Sequence, residues 1–226
     1  MNGKKLPWFP LSLFGWRYWL PMLVTGVLLT GMLYVVAPPL AGLIVLITLA
    51  CMLFFRDPPR NIPDQPGLMV SPADGKIVEI TRLEHHEALS GPALRIGIFL
   101  SVLDVHINRS PCDGVVASVH FEPGEFLDAR NPQAGIRNQS NTLVIKAQPA
   151  DDHPPIAIVR QIVGAIARRI ICPTAVGTSL ERGERFGMIA FGSRTELIVP
   201  EADTWQCLVQ TGQQVKGGST ALLRKR

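Results

Sequence analysis

The strongest constraint in this sequence is a long uncharged segment near its N-terminus. From Tyr18 to Phe55 there is no Lys, Arg, Asp, Glu or His, and Leu, Val, Ile, Gly and Met dominate. Pro38-Pro39 divides it into two apolar halves, Leu20 to Ala37 and Leu40 to Phe55, each near or just below the ~20 residues that a helix needs to cross a bilayer. The pattern predicts a transmembrane helical hairpin within a membrane anchor that spans residues 1–56.

Two other interpretations of the segment stay open: a cleaved signal peptide and the buried helices of a soluble domain. The apolar region is longer than a signal peptide needs, and its approach from Trp8 to Trp19 is already aromatic and partly apolar. Basic residues lie only on the two outer flanks, at Lys4, Lys5, Arg17, Arg56 and Arg60. The positive-inside bias therefore predicts a cell-membrane protein whose flanks, and everything after Arg60, lie in the cytoplasm.

Charge and cysteine usage exclude several function classes. The net charge of +4 is modest and no Lys/Arg block with interleaved aromatic residues is present, so nucleic acid is not an expected partner. An anionic membrane surface fits better. The cysteines are far apart and form no Cys-x-x-Cys pair, which argues against a zinc site or a disulfide scaffold and fits a reducing compartment. They are Cys51, Cys112, Cys172 and Cys207.

The rest of the chain predicts a linker and one β-rich domain. Residues 57–67 are rich in proline without apolar periodicity and predict a linker, and residues 68–226 form the domain. Short β-branched runs bounded by Gly, Pro, Asn or Asp indicate a compact, mainly β sandwich or barrel. The tail from Gln210 to Leu223 resembles the last hairpin of a biotinyl- or lipoyl-type barrel. The predicted strands are Lys76 to Thr81, Leu94 to Leu100, Val115 to Phe121, Thr142 to Lys146, Ile156 to Val163 and Leu197 to Val199.

Three local patterns carry candidate chemistry, and each also has an ordinary structural interpretation. Asp74, in Ser-Pro-Ala-Asp-Gly, is typical of a turn. His106 lies in an apolar, β-branched context where a histidine is often structural, yet it is the best general base in the chain because histidine titrates near neutral pH. Gly192-Ser193 joins two β-like runs, which alone is an ordinary hairpin signal.

Taken together, the patterns resemble one family. SPADG, DVHINRSPCDG, FEPGEF, RNQSN and ERFGMIAFGS occur in this order, ending at residues 75, 114, 126, 141 and 193. They look like the phosphatidylserine decarboxylases, most of all the short bacterial and archaeal branch. The resemblance runs over nearly all of the chain from Phe54 to Arg226.

The resemblance implies that the chain is a self-cleaving proenzyme. The Gly192-Ser193 bond would be cut by the protein itself, and Ser193 would become a pyruvoyl group that forms a Schiff base with the substrate amine. His106 would be the base for cleavage, with a second role as proton donor, and Asp74 would orient His106. The products would be a large subunit, 1–192, and a small one, 193–226, in a heterodimer or a higher oligomer.

A second Gly-Ser occurs near the C-terminus, in Gly217-Gly218-Ser219-Thr220, and is close to the Leu-Gly-Ser-Thr signature of the family. Cleavage there would release only Ser219 to Arg226, too short to form a wall of an active site. The residues before and after Ser193 match the family, so we assign the site to Ser193. Its context, Phe-Gly-Ser-Arg, is what the short branch shows.

The resemblance implies a phospholipid substrate, decarboxylation of phosphatidylserine to phosphatidylethanolamine, and neither PLP nor a metal. The substrate phosphate would need a cationic or hydrogen-bonding partner, for which the candidates are Arg137, Asn138, Arg168 and Arg169. Alternatives are an archaetidylserine-type or other pyruvoyl-dependent amino-acid decarboxylase, a serine hydrolase and a non-enzymatic membrane-anchored β domain that binds or carries a ligand. A hydrolase would favour Gly-x-Ser-x-Gly, which Ser193 lacks.

Overall fold

The computed structural model describes residues 10–89, 91–131, 133–147, 154–165, 169–190 and 193–226. The chain divides into two compact units between Pro59 and Arg60. Within the first unit, helix α1 spans Trp16–Val36 and helix α2 spans Pro38–Phe54.

The two prolines of the apolar segment begin α2, where a missing backbone N–H costs nothing because no intrahelical acceptor is available there. Ala37 alone separates the helices, so the predicted pair of helices is confirmed and its connection is minimal. Gly26 of α1 lies against Thr48 of α2, whose Oγ1 is 2.3 Å from the place where a Cβ would stand, so only glycine fits.

By length and composition, one segment of this unit is suited to cross a bilayer. Leu13–Val36 has a mean hydropathy of 1.9, whereas the apolar helix Pro38–Phe54 is shorter. Most of the large apolar side chains on both helices are exposed, as a lipid-facing surface requires.

The second unit is mainly β, as predicted, with one short α-helix, α3, at Ala134–Arg137 among its described residues. Each of the six predicted strands overlaps an observed strand. The strands are β1 (Leu68–Val70), β2 (Gly75–His86), β3 (Gly91–Leu100), β4 (Ile107–Arg109), β5 (Gly114–Glu122), β6 (Ser140–Lys146), β7 (Pro155–Ile162), β8 (Arg169–Ile171), β9 (Ser179–Leu180), β10 (Arg185–Ala190), β11 (Ser193–Pro200), β12 (Trp205–Cys207), β13 (Gln214–Val215) and β14 (Ala221–Lys225).

Eight of these strands form one sheet in the order β13-β2-β3-β11-β7-β6-β5-β9, and two three-stranded sheets, β4-β10-β8 and β1-β14-β12, accompany it. The pairs within them are antiparallel. The C-terminal hairpin prediction is wrong: β13 pairs with β2, whereas β14 pairs with β1 and β12. The chain from 216 to 220 instead turns against the segment at 71–74, because Gly218 N donates to Ser71 O.

Strand β11 lies at the centre of the large sheet, and both of its faces are buried. Side chains alternate along a strand, so Leu197 and Val199 join the main apolar core, while Ile198 packs with Ala93 and Ile158 on the other side. Ser193 is the first residue of this strand and lies opposite Leu100, the last residue of β3.

The ends of several strands lie in register with Ser193. We call this row the Ser193 edge of the sheet. Its members, in strand order, are Phe99–Leu100 on β3, Ser193–Arg194 on β11, Ile162 on β7, Ser140 on β6 and Glu122 on β5.

Candidate active site

The Ser193 side chain is fully buried, and its hydroxyl oxygen has no hydrogen-bond partner in the described part of the chain. An unsatisfied buried hydroxyl costs about 1–3 kcal/mol, so such a group is uncommon unless it has a function. Phe191 and Gly192 lie outside the described residues, so the predicted cleavage bond itself is not described.

The strands on either side of the Gly192-Ser193 bond do not pair with each other. β10 pairs with β4 and β8, whereas β11 pairs with β3 and β7. The hairpin interpretation of this Gly-Ser is therefore wrong, and Ser193 begins the segment that enters the large sheet.

His106 is fully buried between a tight turn and β4. Its Nδ1 lies 2.9 Å from the carbonyl oxygen of Asp104. Because a carbonyl oxygen only accepts, Nδ1 carries the proton, and in the neutral ring Nε2 is left able to take one. The His106 carbonyl accepts a hydrogen bond of 3.1 Å from Ile189 N, on the strand that leads to the Gly-Ser bond.

Asp74 is held by Arg60 and by the C-terminal turn. Arg60 Nη2 donates to both carboxylate oxygens, at 3.0 and 2.8 Å, and Gly217 N donates at 2.8 Å. Burial raises the pKa of Asp74 and nearby Asp104 adds to the rise, although Arg60 and Gly217 act against it. These hydrogen bonds do not join Asp74 to His106, so the orienting role of Asp74 stays a prediction.

The second Gly-Ser motif has a structural place. Gly217 supplies the N–H to Asp74, and Gly218 adopts a φ of +77°, which a residue with a Cβ would rarely adopt. The motif therefore supports the turn that contains Asp74.

A chain of buried amides near Ser193 was not found from the sequence. Asn141 Nδ2 donates to Gln161 Oε1 at 2.9 Å, Gln161 Nε2 donates to Asn108 Oδ1 at 2.8 Å, and Asn108 Nδ2 donates to Thr195 Oγ1 at 3.0 Å. Asn108 lies two residues after His106, and Thr195 lies two residues after Ser193. The chain therefore joins the strand after His106 to the strand that begins with Ser193.

A cluster of charges occupies the other face of β11. Arg194 Nε donates to Glu196 Oε1 at 2.9 Å, and Arg194 also pairs with Glu79. Glu196 is fully buried and receives a second cation, because Arg160 Nη1 lies 3.3 Å from its Oε2. Burial acts to raise the pKa of Glu79, but hydrogen bonds from Arg194, Arg95 and Thr81 outweigh it and lower that pKa to about 2.

The predicted phosphate partners differ in their surroundings. Arg137 is exposed and its Nη2 is 2.6 Å from Glu125 Oε1, whereas Asn138 is buried and its amide bonds to the backbone of Leu127 and Val163. Arg169 is exposed on β8 and lies opposite Ala190 of β10. Ala190 is three residues before Ser193 in the sequence. Arg168 lies outside the described residues.

Residues 10–89, 91–131, 133–147, 154–165, 169–190 and 193–226 contain no group of three or more His, Cys, Asp or Glu side chains suited to hold a metal ion. Burial raises the pKa of the Cys112 thiol to about 12, with Asp113 adding to the rise, so Cys112 is not an activated nucleophile.

Comparisons with known proteins identify the family that this chain resembles. The family model described as phosphatidylserine decarboxylase matches residues 47–223. A phosphatidylserine decarboxylase proenzyme of Rhodopirellula baltica is 40% identical over 222 residues, which cover 93% of this chain and 91% of the relative. Proenzymes of the same description from Symbiobacterium thermophilum (40% identical, 93% of each chain) and Cereibacter sphaeroides (43% identical, 85% of this chain and 82% of the relative) are also similar.

Proposed function

The chain belongs to the phosphatidylserine decarboxylase family, and we therefore propose that it converts phosphatidylserine to phosphatidylethanolamine with a pyruvoyl group made from Ser193. The observation that carries the assignment of the residue is the fully buried Ser193 hydroxyl, which has no partner in the described part of the chain. His106 supports it, because His106 is buried and bonded to the strand that precedes the Gly-Ser bond.

In the proposed maturation, the Ser193 hydroxyl attacks the carbonyl carbon of Gly192. The peptide C–N bond breaks and an ester to the Ser193 oxygen forms, while His106 Nε2 takes the hydroxyl proton and returns it to the released nitrogen. Loss of the Ser193 Cα proton then expels the Gly192 carboxylate. The dehydroalanine that remains takes up water and releases ammonia, which leaves the pyruvoyl group.

We retain Asp74 as the acid that orients His106, and the structure offers an alternative for this role. Asp74 would have to exchange its hydrogen bonds with Arg60 for one with His106, whereas the Asp104 carbonyl already accepts from His106 Nδ1. The turn from Ser101 to Asp104 is closed by hydrogen bonds of Ser101 N and Oγ to Asp104 Oδ2, at 2.8 and 2.7 Å. This closed turn fixes the carbonyl that orients the ring.

When formed, the pyruvoyl group supplies the carbonyl that takes up the substrate amine and the electrons released with CO₂, so the proposal needs neither PLP nor a metal. His106 is the group that would return a proton to the product carbon. Of the predicted phosphate partners, Arg169 is best supported by its register with Ala190, and Asn138 is the least supported because its amide is satisfied by backbone. An ether-linked archaetidylserine has the same head group.

The proposed domain organisation is an anchor at 1–56, a linker at 57–67 and a catalytic domain at 68–226, cut into subunits 1–192 and 193–226. Arg60 already belongs to the compact unit of the catalytic domain, and its bond to Asp74 supports a linker that is partly fixed. We place the catalytic domain on the cytoplasmic side of the cell membrane, on the basis of the charged flanks of the apolar segment.

Intact mass spectrometry of the purified chain tests the proposal. We expect two chains that meet at Gly192 and Ser193, the smaller one lighter than its serine form by the mass of one ammonia, and a lipid adduct on borohydride reduction with phosphatidylserine. Ser193→Ala should remain one inactive chain, while the matched variant Ser219→Ala should be cut normally. A full-length single chain in the unmodified protein would instead favour a binding domain, and normal cleavage of Ser193→Ala would refute the assignment.

A further inference from the structure

Exposed apolar side chains of the β-rich unit are concentrated at the Ser193 edge. The described residues of this unit include six exposed large apolar side chains. Five of them lie at or beside the Ser193 edge, and one lies elsewhere. The five, which we call the edge apolar set, are Val102, Leu103, Phe121, Phe126 and Ile136.

The position of each of these residues relative to Ser193 follows from the strand pairing. Val102 and Leu103 follow Leu100, which lies opposite Ser193. Phe121 precedes the last residue of β5, and Phe126 and Ile136 belong to the connection between the end of β5 and the start of β6. Three strands, β11, β7 and β6, separate β3 from β5, so at ~4.8 Å per strand the two groups lie roughly 20 Å apart along the edge, on either side of Ser193.

The sixth residue, Val176, lies at the other end of the sheet. Gly177 N donates to Val116 O, and Val115 pairs with Ser179 and with Lys146, the last residue of β6. The exposed apolar residues are therefore distributed unequally between the two ends.

The tip of the Ser101–Asp104 turn presents two apolar side chains from a fixed backbone. Leu103 is 82% exposed and Val102 is 47% exposed. Asp104 N donates to Ser101 O at 2.9 Å, and Asp104 Oδ1 accepts from Gln214 Nε2 at 3.0 Å, so the turn is tied to β13. Because the same Asp104 holds His106 by its carbonyl, the apolar tip and the candidate base share one turn.

We propose that the Ser193 edge is a membrane-docking surface, in which the edge apolar set enters the interfacial layer of a lipid bilayer and places Ser193 at the level of the head groups. Three observations favour lipid over other occupants: the apolar residues flank the candidate active site, an apolar segment of the same chain is long enough to cross a bilayer, and the opposite end of the sheet lacks a comparable set among the described residues. The choice of lipid rests on the proposed function, because a phospholipid head group must reach the buried Ser193.

A nitroxide label tests the contact without any measurement of activity. Leu103→Cys and, as the matched control, Val176→Cys are made in the full chain with Cys207→Ser, because Cys207 is an exposed native thiol. In vesicles of phosphatidylcholine and phosphatidylserine, the label at 103 should be relaxed more by lipid-soluble oxygen and less by a water-soluble nickel chelate than the label at 176. Equal access of the nickel chelate to both labels would overturn the proposal, even for an active enzyme.

Kinetics give a second, separate test. Leu103→Ser should lower kcat/KM for phosphatidylserine in vesicles about tenfold, because the variant no longer buries a leucine side chain in lipid. It should leave kcat/KM for a monomeric short-chain phosphatidylserine unchanged. Val176→Ser should change neither value. An equal loss of kcat/KM on both substrates would mean that the turn acts on the catalytic groups instead. A change in oligomeric state would mean that a second copy of the chain covers the Ser193 edge. Either result would overturn docking to lipid.

Discussion

Replacing Arg194 with methionine tests whether the buried charge cluster stabilises the strand that follows the proposed cleavage site. Arg194 is the residue directly after Ser193, and its guanidinium binds two carboxylates, Glu79 and Glu196. Methionine keeps the unbranched apolar part of the side chain but removes the guanidinium, which leaves the fully buried Glu196 with Arg160 as its remaining cation.

The expected loss of stability is large because the charges are shielded from water. The side chains of Arg194, Glu79 and Glu196 are 8%, 25% and 0% exposed. Removal of one member of a buried pair typically costs about 3–5 kcal/mol, and for a chain of this size each kcal/mol lowers the Tm by roughly 2–4 °C. We therefore expect the Tm to fall by about 10 °C.

The assay is thermal unfolding of the full chain in detergent, with Ser193→Ala present in every sample so that cleavage cannot differ between them. Arg82→Met is the matched control, since Arg82 also forms a two-pronged pair with a carboxylate, Asp203, but both partners are exposed. A similar, small shift in both variants would refute the reasoning, because the buried cluster would then contribute no more than a surface pair.

The same cluster predicts a dependence on pH. The pKa of Glu79 is lowered from 4.5 to about 2 in the folded state, so its contribution to stability is present above pH 4.5 and is lost as the pH falls toward 2. Arg194→Met removes one of the hydrogen bonds that lower this pKa, so the Tm of the variant should depend less on pH in that interval. An unchanged slope would show that Arg95 and Thr81 alone are sufficient.

Two further predictions follow from buried groups. Gln161→Leu leaves Asn108 Oδ1 and Asn141 Nδ2 without their partners, so we expect the free energy of unfolding to fall by about 2–4 kcal/mol and self-cleavage to slow. Thermal unfolding in the Ser193→Ala background measures the first effect, and the rate of chain cutting with Ser193 intact measures the second. A rate and a Tm equal to those of the parent would contradict this prediction. Iodoacetamide at pH 8 should label Cys207, which is exposed, well before Cys112, whose pKa is raised to about 12 by burial and by Asp113, and mass spectrometry showing equal labelling would contradict the burial of Cys112.

Local pattern was sufficient to predict the helices and six of the strands, because apolar runs, β-branched residues and turn residues act over a few positions. The partners of those strands were harder to predict. The tail was interpreted as a hairpin because it resembles the last hairpin of a biotinyl- or lipoyl-type barrel. Instead, β13 pairs with β2 and β14 pairs with β1, strands that are far away in sequence.

The polar residues of the site show the same limit. Asn108, Gln161 and Thr195 each stand next to a charged residue in their strands, so the local sequence does not indicate that they are buried. Their hydrogen bonds join positions 53 and 87 residues apart, so only the fold brings them together. Ser193 and His106 were proposed from the sequence because they belong to motifs that resemble a family, and their roles stay predictions. The bond between Asp74 and Arg60 depends on the path of the linker, which no motif specifies.

The central position of β11 gives the proposed cleavage a further meaning. β11 pairs with β3 on one side and β7 on the other, and β12, β13 and β14 of the same C-terminal segment pair with one another or with β1 and β2. We infer that a segment paired with strands from so many parts of the chain enters the sheets while the chain is still continuous, before Ser193 is buried. Cleavage before Ser193 would then occur only in a copy that has already folded. A misfolded copy would stay uncut and inactive, and every cut chain would come from a folded one.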